Sequence, residues 1–199
     1  TQHRPLPQGH LTPNTVLLFG VTISILGSSL FFLLHWKAAF WSFFSVFFYV
    51  FIYTMWLKRR TPQNIVIGGA AGATPPLIGW AGAAAASIDS MNPLDLGSPI
   101  PWMLFALIFF WTPPHFWALA IMIKDDYARA GIPMLPVVRG VEHTTVQIML
   151  YSVILSALTI LFGVVSEPLG WIYMIGAAVL CIAFIWYALL LTRNPERPA

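Results

Sequence analysis

"PWMLFALIFFWTPPHFWALAIMIKDDYARAGIPMLP", residues 101–136, decides the fold. Its first 23 residues carry one ionisable side chain, His115, and no full charge. They are long enough to cross a bilayer core, which needs about 20 mostly apolar residues. Lys124, Asp125, Asp126, Tyr127 and Arg129 follow at once. Two adjacent carboxylates at the mouth of an apolar helix are out of character in a chain that is only 9% charged.

The remaining sequence is of the same kind. It has 199 residues, 58% of them hydrophobic and 15% aromatic. Its mean hydropathy is +0.78. Soluble domains are about 45–50% apolar and about 25% charged. So few charges cannot cover that much apolar surface, and the chain reads as an all-α integral membrane protein. Six segments are long and apolar enough to span: roughly 15–34, 38–57, 65–86, 101–123, 145–165 and 169–191. The lone cysteine, Cys181, can form no internal disulfide and speaks only to packing.

The loops alternate in charge. Loops 1–14, 58–64, 124–144 and 192–199 hold nine of the ten Lys and Arg residues. Loops 35–37, 87–100 and 166–168 hold only Lys37, with Asp89, Asp95 and Glu167. The positive-inside rule places the first set, and both chain ends, in the cytoplasm. The pI near 9.2 follows from this asymmetry. The basic residues form no stripe, so no nucleic-acid partner is expected. The chain opens on "TQHRPLPQGHLTPN" and closes on "RNPERPA", and both ends read as cut from a longer protein.

Two spans are unusual. "IVIGGAAGATPPLIGWAGAAAA" is rich in Gly and Ala, which either lets helices approach closely or leaves room for a bulky ligand. It shares Thr-Pro-Pro with "FFWTPPHFWALA", and each pair of prolines is expected to kink its helix. His115 follows the second pair. It either bonds a carbonyl freed by the kink or touches a metal centre or large cofactor. Trp111, Phe116 and Trp117 around it form an aromatic wall or face lipid.

Alone, Asp125 and Asp126 read as a solvated helix cap. They also suit half of a Mg²⁺–phosphate site, because Mg²⁺ takes one or two carboxylates and completes its shell with water and phosphate. Lys124 and Arg129 can add phosphate contacts. Arg4, Lys58 and Arg59, with Tyr53 one turn below them, fall on the same side; Arg60 reads as a topology anchor. A face carrying acids and bases above kinked, Gly-rich spans fits an enzyme acting on a lipid-tailed phosphate.

"YTMWLKRRTPQNIVIGGAAGATPPLIGWA", "WTPPHFWALA" and "DDYARAGIPMLPV" together resemble the heme-farnesylating branch of the UbiA superfamily of intramembrane prenyltransferases. The resemblance covers most of residues 1–144, with the motifs in the family's order; the last two spans match only in type. It implies a UbiA-type transmembrane helix bundle of about nine spans, six of them here, forming one membrane-embedded domain. It implies transfer of the farnesyl group of farnesyl diphosphate to a vinyl group of heme B, with Mg²⁺ as cofactor. Asp125, Asp126 and Tyr127 fall on the family's second Asp-rich motif, with Ile123 where many relatives carry another Asp. The first motif is expected ahead of Thr1, with Thr1, Arg4 and Pro5 as the tail of the element that follows it. The resemblance thus assigns Asp125 and Asp126 to Mg²⁺, and Lys58, Arg59 and Arg4 to diphosphate. Tyr53, Tyr127 and Arg129 are lesser candidates, and His115 is the candidate heme contact. The implied setting is a bacterial inner membrane, with lipid and heme-pathway membrane enzymes as partners. Two other readings remain at this point: a related enzyme with a quinone-like acceptor, or a secondary transporter with kinked helices and midplane polar groups.

Overall fold

A computed structural model describes residues 5–85, 88, 90–166 and 169–194; Arg4, Asp89, Glu167 and Arg197 lie outside them. The described residues are all helical, without a strand. The order is α1 (Pro13–Leu30), α2 (Trp36–Phe47), α3 (Asn64–Gly72), α4 (Pro75–Ala83), α5 (Ile100–Met122), α6 (Lys124–Arg129), α7 (Leu135–Val138), α8 (Val141–Val165) and α9 (Gly170–Arg193). Six helical stretches are long and apolar enough to cross a membrane, and their bounds fall close to those read from hydropathy.

Span two is not a uniform α-helix. From Phe48 to Leu57 it widens into a π-helix. Lys58 N–H closes it by donating to Tyr53 O at 2.8 Å, and the Thr54 hydroxyl donates to Tyr49 O, also five residues back, at 2.8 Å. Extended π-helix is rare and gathers at functional sites. Here it delivers Tyr49 and Tyr53 to the same side, their rings 5.5 Å apart.

The two Thr-Pro-Pro sequences behave differently. At Pro75 the third span breaks into α3 and α4. Pro75 has no N–H for Ala71 O, which instead accepts from the Thr74 hydroxyl at 2.8 Å and the Ser45 hydroxyl of α2 at 3.0 Å. Such replacement is what lets a helix break at membrane depth. The second sequence does not break its helix: α5 runs continuously through Pro113 and Pro114. The Thr112 hydroxyl bonds Ile108 O one turn back at 2.8 Å, and both prolines are packed in the interior.

The loop between α4 and α5 is held from four sides. Trp41 Nε1 donates to Pro93 O (3.1 Å), Trp102 Nε1 to Leu94 O (3.2 Å), Lys37 Nζ to Asp95 O (2.5 Å) and Trp80 Nε1 to Leu96 O (3.1 Å). Four consecutive carbonyls thus find donors from α2, α4 and α5, and Leu96 plugs the cluster of Ala38, Trp41, Leu77 and Ala81. Gly97 N–H and the Ser90 side chain bond the Asp95 carboxyl and hold it below its ordinary range. Trp80→Phe keeps the ring but leaves the buried Leu96 carbonyl unpaired. It is expected to cost about 1–3 kcal/mol, read as lower unfolding stability in detergent.

α8 and α9 pack as a hairpin through small residues. Ser152, Ser156, Thr159 and Gly163 fall on one face of α8, and the hydroxyls of the first three bond carbonyls of their own helix. A Cβ on Gly163 would meet the Tyr173 ring at 2.6 Å, while Tyr173 Oη donates to Thr159 O at 3.0 Å. Small residues substitute here for the hydrophobic driving force that lipid does not supply.

Candidate functional site

The loop after α5 is built around Tyr127. α6 ends in a glycine cap: Ile132 N–H bonds Tyr127 O and Gly131 N–H bonds Ala128 O, both at 3.1 Å. Gly131 has φ +65°, which a side chain would resist, and this is the reason for glycine in "ARAGIP". The cap brings Ile132 back against Tyr127, and both pack on Ile65, Ala120 and Met134. Tyr127 is therefore anchored to the bundle.

Across from it lies the basic turn between span two and α3. Tyr53, Lys58, Asn64, Phe116, Tyr127 and Met134 enclose a cavity of 120 Å³. It shares the lining residues Tyr53, Ile65 and Phe116 with a second cavity, of 370 Å³. This deeper cavity is lined by Tyr49, Gly68, Gly69, Gly72, Ile108 and Thr112, among others, and has no charged lining residue. The glycines explain its shape. A Cβ on Gly68 would strike the Tyr53 ring, reaching Cγ and Cε2 at 2.8 Å, and one on Gly69 would come within 3.1 Å of Thr112 Cγ2. The small residues thus do both things the sequence allowed: they permit close packing and they keep a hollow beneath Tyr53.

Lys58, Tyr53 and Tyr127 are thus brought together. Arg59 and Arg60 are exposed at the turn and line neither cavity. Asp125 and Asp126, in the first turn of α6, point to solvent beside the smaller cavity. Asp126 is ion-paired with Arg129 three residues on, so Arg129 is engaged before any ligand arrives. With side chains 64% and 77% exposed, the pair is weak and open to exchange. No group of three or more potential metal ligands occurs among the described residues. Two exposed carboxylates next in sequence to Tyr127 of the smaller cavity still fit Mg²⁺, which uses few protein ligands when substrate phosphate supplies the others. Arg4 lies outside the described residues.

His115 makes no hydrogen bond among the described residues, so the kink-carbonyl alternative is not what holds it. Its ring stacks on Trp111, with centroids 4.3 Å apart and planes 14° off parallel, and meets Phe116 edge-on. Trp111 is a shared wall: the polyglycine cavity lies on one side, and on the other a 230 Å³ cavity lined by His115, Ser152, Phe184 and Tyr187. A further cavity, of 610 Å³, lies between α8 and α9 with Trp111 at its edge; its described lining residues carry no charge and include none from the basic turn. Trp117 is buried against Tyr151 as core, apart from the aromatic wall.

Asn64 and Gly68 are site residues that sequence reading passed over. Asn64 is uncharged and sits among Thr, Pro and Gln, so only its burial betrays it. Gly68 had a signal, the Gly-Gly pair, but no way of showing that an aromatic ring covers it.

The described site is thus cationic at Lys58 and apolar beneath Tyr53, within a bundle of membrane-spanning helices. The chain belongs to the UbiA prenyltransferase family, whose model matches residues 1–199. It is 47% identical to a protoheme IX farnesyltransferase of Bradyrhizobium sp., over 99% of this chain and 60% of that protein. It is 48% identical to proteins of the same name in Rhodopseudomonas palustris strain HaA2 (98% of this chain, 63% of that one) and Gluconacetobacter diazotrophicus (93% and 56%). The chain thus spans about 60% of the length of these relatives. No solved structure matches it significantly.

Proposed function

We propose that the protein transfers the farnesyl group of farnesyl diphosphate to a vinyl group of heme B, giving heme O and diphosphate. The observation that carries this is the adjoining pair of cavities, polar at Lys58 and Tyr127 and apolar from Tyr53 to Gly72, in a chain of this family. At 370 Å³ the deeper part falls in the usual ~300–1,000 Å³ range of small-molecule sites.

In this reading Lys58 and Arg59, with Arg4, neutralise the diphosphate as it departs, which lowers the barrier where charge develops. Asp125 and Asp126 hold Mg²⁺, which adds Lewis-acid stabilisation of the leaving group. Tyr53 and Phe116 line the junction where the allylic carbon sits, and their faces stabilise the cation left behind. The C–O bond to diphosphate breaks, a heme vinyl carbon supplies the electron pair for the new C–C bond, and water adds at the adjacent carbon and loses a proton. The dry walls keep water away from the first cation. Heme B lies along the Trp111 wall with His115 as its contact. The basic turn faces the cytoplasm of a bacterial inner membrane, and the apolar substrates exchange with the bilayer or with neighbouring heme-pathway enzymes.

Full-length protein incubated with heme B, farnesyl diphosphate and Mg²⁺ is expected to yield a heme heavier by one farnesyl and one hydroxyl group. Unchanged heme under those conditions, with the protein folded, refutes the proposal.

A further inference from the structure

Asn64 is fully buried at the first residue of α3, directly after the basic turn. Its Nδ2 donates to Thr61 O at 2.7 Å and reaches Lys58 O at 3.5 Å. Both partners are carbonyls, so the amide cannot be reversed without losing them. The oxygen is left as the free atom, and Oδ1 is indeed buried without a partner among the described residues. A buried acceptor left bare is costly, so its retention asks for a reason. Asn64 borders the 120 Å³ cavity, where the other polar side chains, Lys58, Tyr53 and Tyr127, are all able to donate. A diphosphate offers acceptors only and cannot satisfy Oδ1. The acceptor must serve a group that in turn serves the phosphate.

We propose that Asn64 is a positioning residue of the diphosphate site, acting through Lys58. Its Nδ2 pins the turn between Lys58 and Thr61. Its Oδ1 accepts one N–H of the Lys58 ammonium when the head group enters, which aims the other two at phosphate oxygens. Lys58 is the partner of choice because it is the one cation among the described residues of that lining and its own carbonyl is already within reach of the same amide. This inference rests on the diphosphate reading of the site.

The test is calorimetric binding of farnesyl diphosphate to the full-length protein and to N64A, K58A, N64A/K58A and N64D. Wild-type protein that fails to bind removes the diphosphate reading itself. If it binds, N64A is expected to weaken affinity about tenfold, and N64A on top of K58A to add almost nothing, because the two act as one unit. Losses that multiply in the double variant overturn the proposal, as does unchanged affinity in N64A. N64D is nearly isosteric and carries the test if N64A does not fold. Its carboxylate would pair with Lys58 and repel the ligand, so it should bind more weakly than N64A does. Tighter Mg²⁺ binding by N64D would overturn the proposal in favour of a metal ligand.

Discussion

Asp126→Asn is expected to lower Mg²⁺-dependent turnover by roughly 10²–10³-fold, the usual scale for losing one preorganised stabiliser of developing charge. The substitution keeps shape and removes the charge that Mg²⁺ requires. It should cost little stability, because the ion pair with Arg129 is exposed on both sides. Heme binding, followed by the Soret band, should survive, since His115 and Trp111 lie on α5 and not on α6. Releasing Arg129 can only favour diphosphate, so weaker binding in this variant would point to lost metal and not to lost cation contact. Turnover near the wild-type rate would remove Asp126 from the metal site.

Gly68→Leu is expected to act on the other half of the substrate. The added side chain collides with the Tyr53 ring and projects towards the deeper cavity. Overpacking of this kind costs about 1–3 kcal/mol of stability. Farnesyl diphosphate should lose roughly 100-fold or more in affinity, as ~3 kcal/mol of buried apolar contact disappears. Inorganic diphosphate, which needs only the head pocket, should bind nearly as before. Equal losses for both ligands would mean that the tail does not lie beneath Tyr53.

Much of the architecture could be read from the chain because lipid imposes a simple rule. Stretches such as 101–123 and 145–165 are mostly apolar and carry no full charge, and their helices begin and end near the first charges. The two Thr-Pro-Pro sequences look alike, yet only the first ends a helix. The Ser45 donor that re-satisfies Ala71 comes from another span, and no local pattern encodes it. The π-helix at 48–57 is equally invisible to hydropathy, because widening a turn changes no residue's polarity. For the candidate site, charge pointed to Lys58, which the structure places with Tyr53 and Tyr127 at one cavity. It could not show that Asp126 turns to Arg129, that Arg59 stays outside the cavity or that Asn64 is buried inside. Those outcomes depend on the packing of α3 against span two and on the fold-back of Ile132 onto Tyr127.

In the proposed function the two adjoining cavities hold farnesyl diphosphate, head at Lys58 and tail beneath Tyr53. A farnesyl diphosphate analogue with a diazirine at the tail end, bound to full-length protein in lipid nanodiscs and photolysed, tests it most directly. Peptide mapping is expected to place the label on α3 and α5, at Gly69, Gly72 or Ile108, with excess farnesyl diphosphate suppressing it. Suppressible label on the α8–α9 groove at Leu155, Ile172 or Leu180, with none on α3, would contradict it.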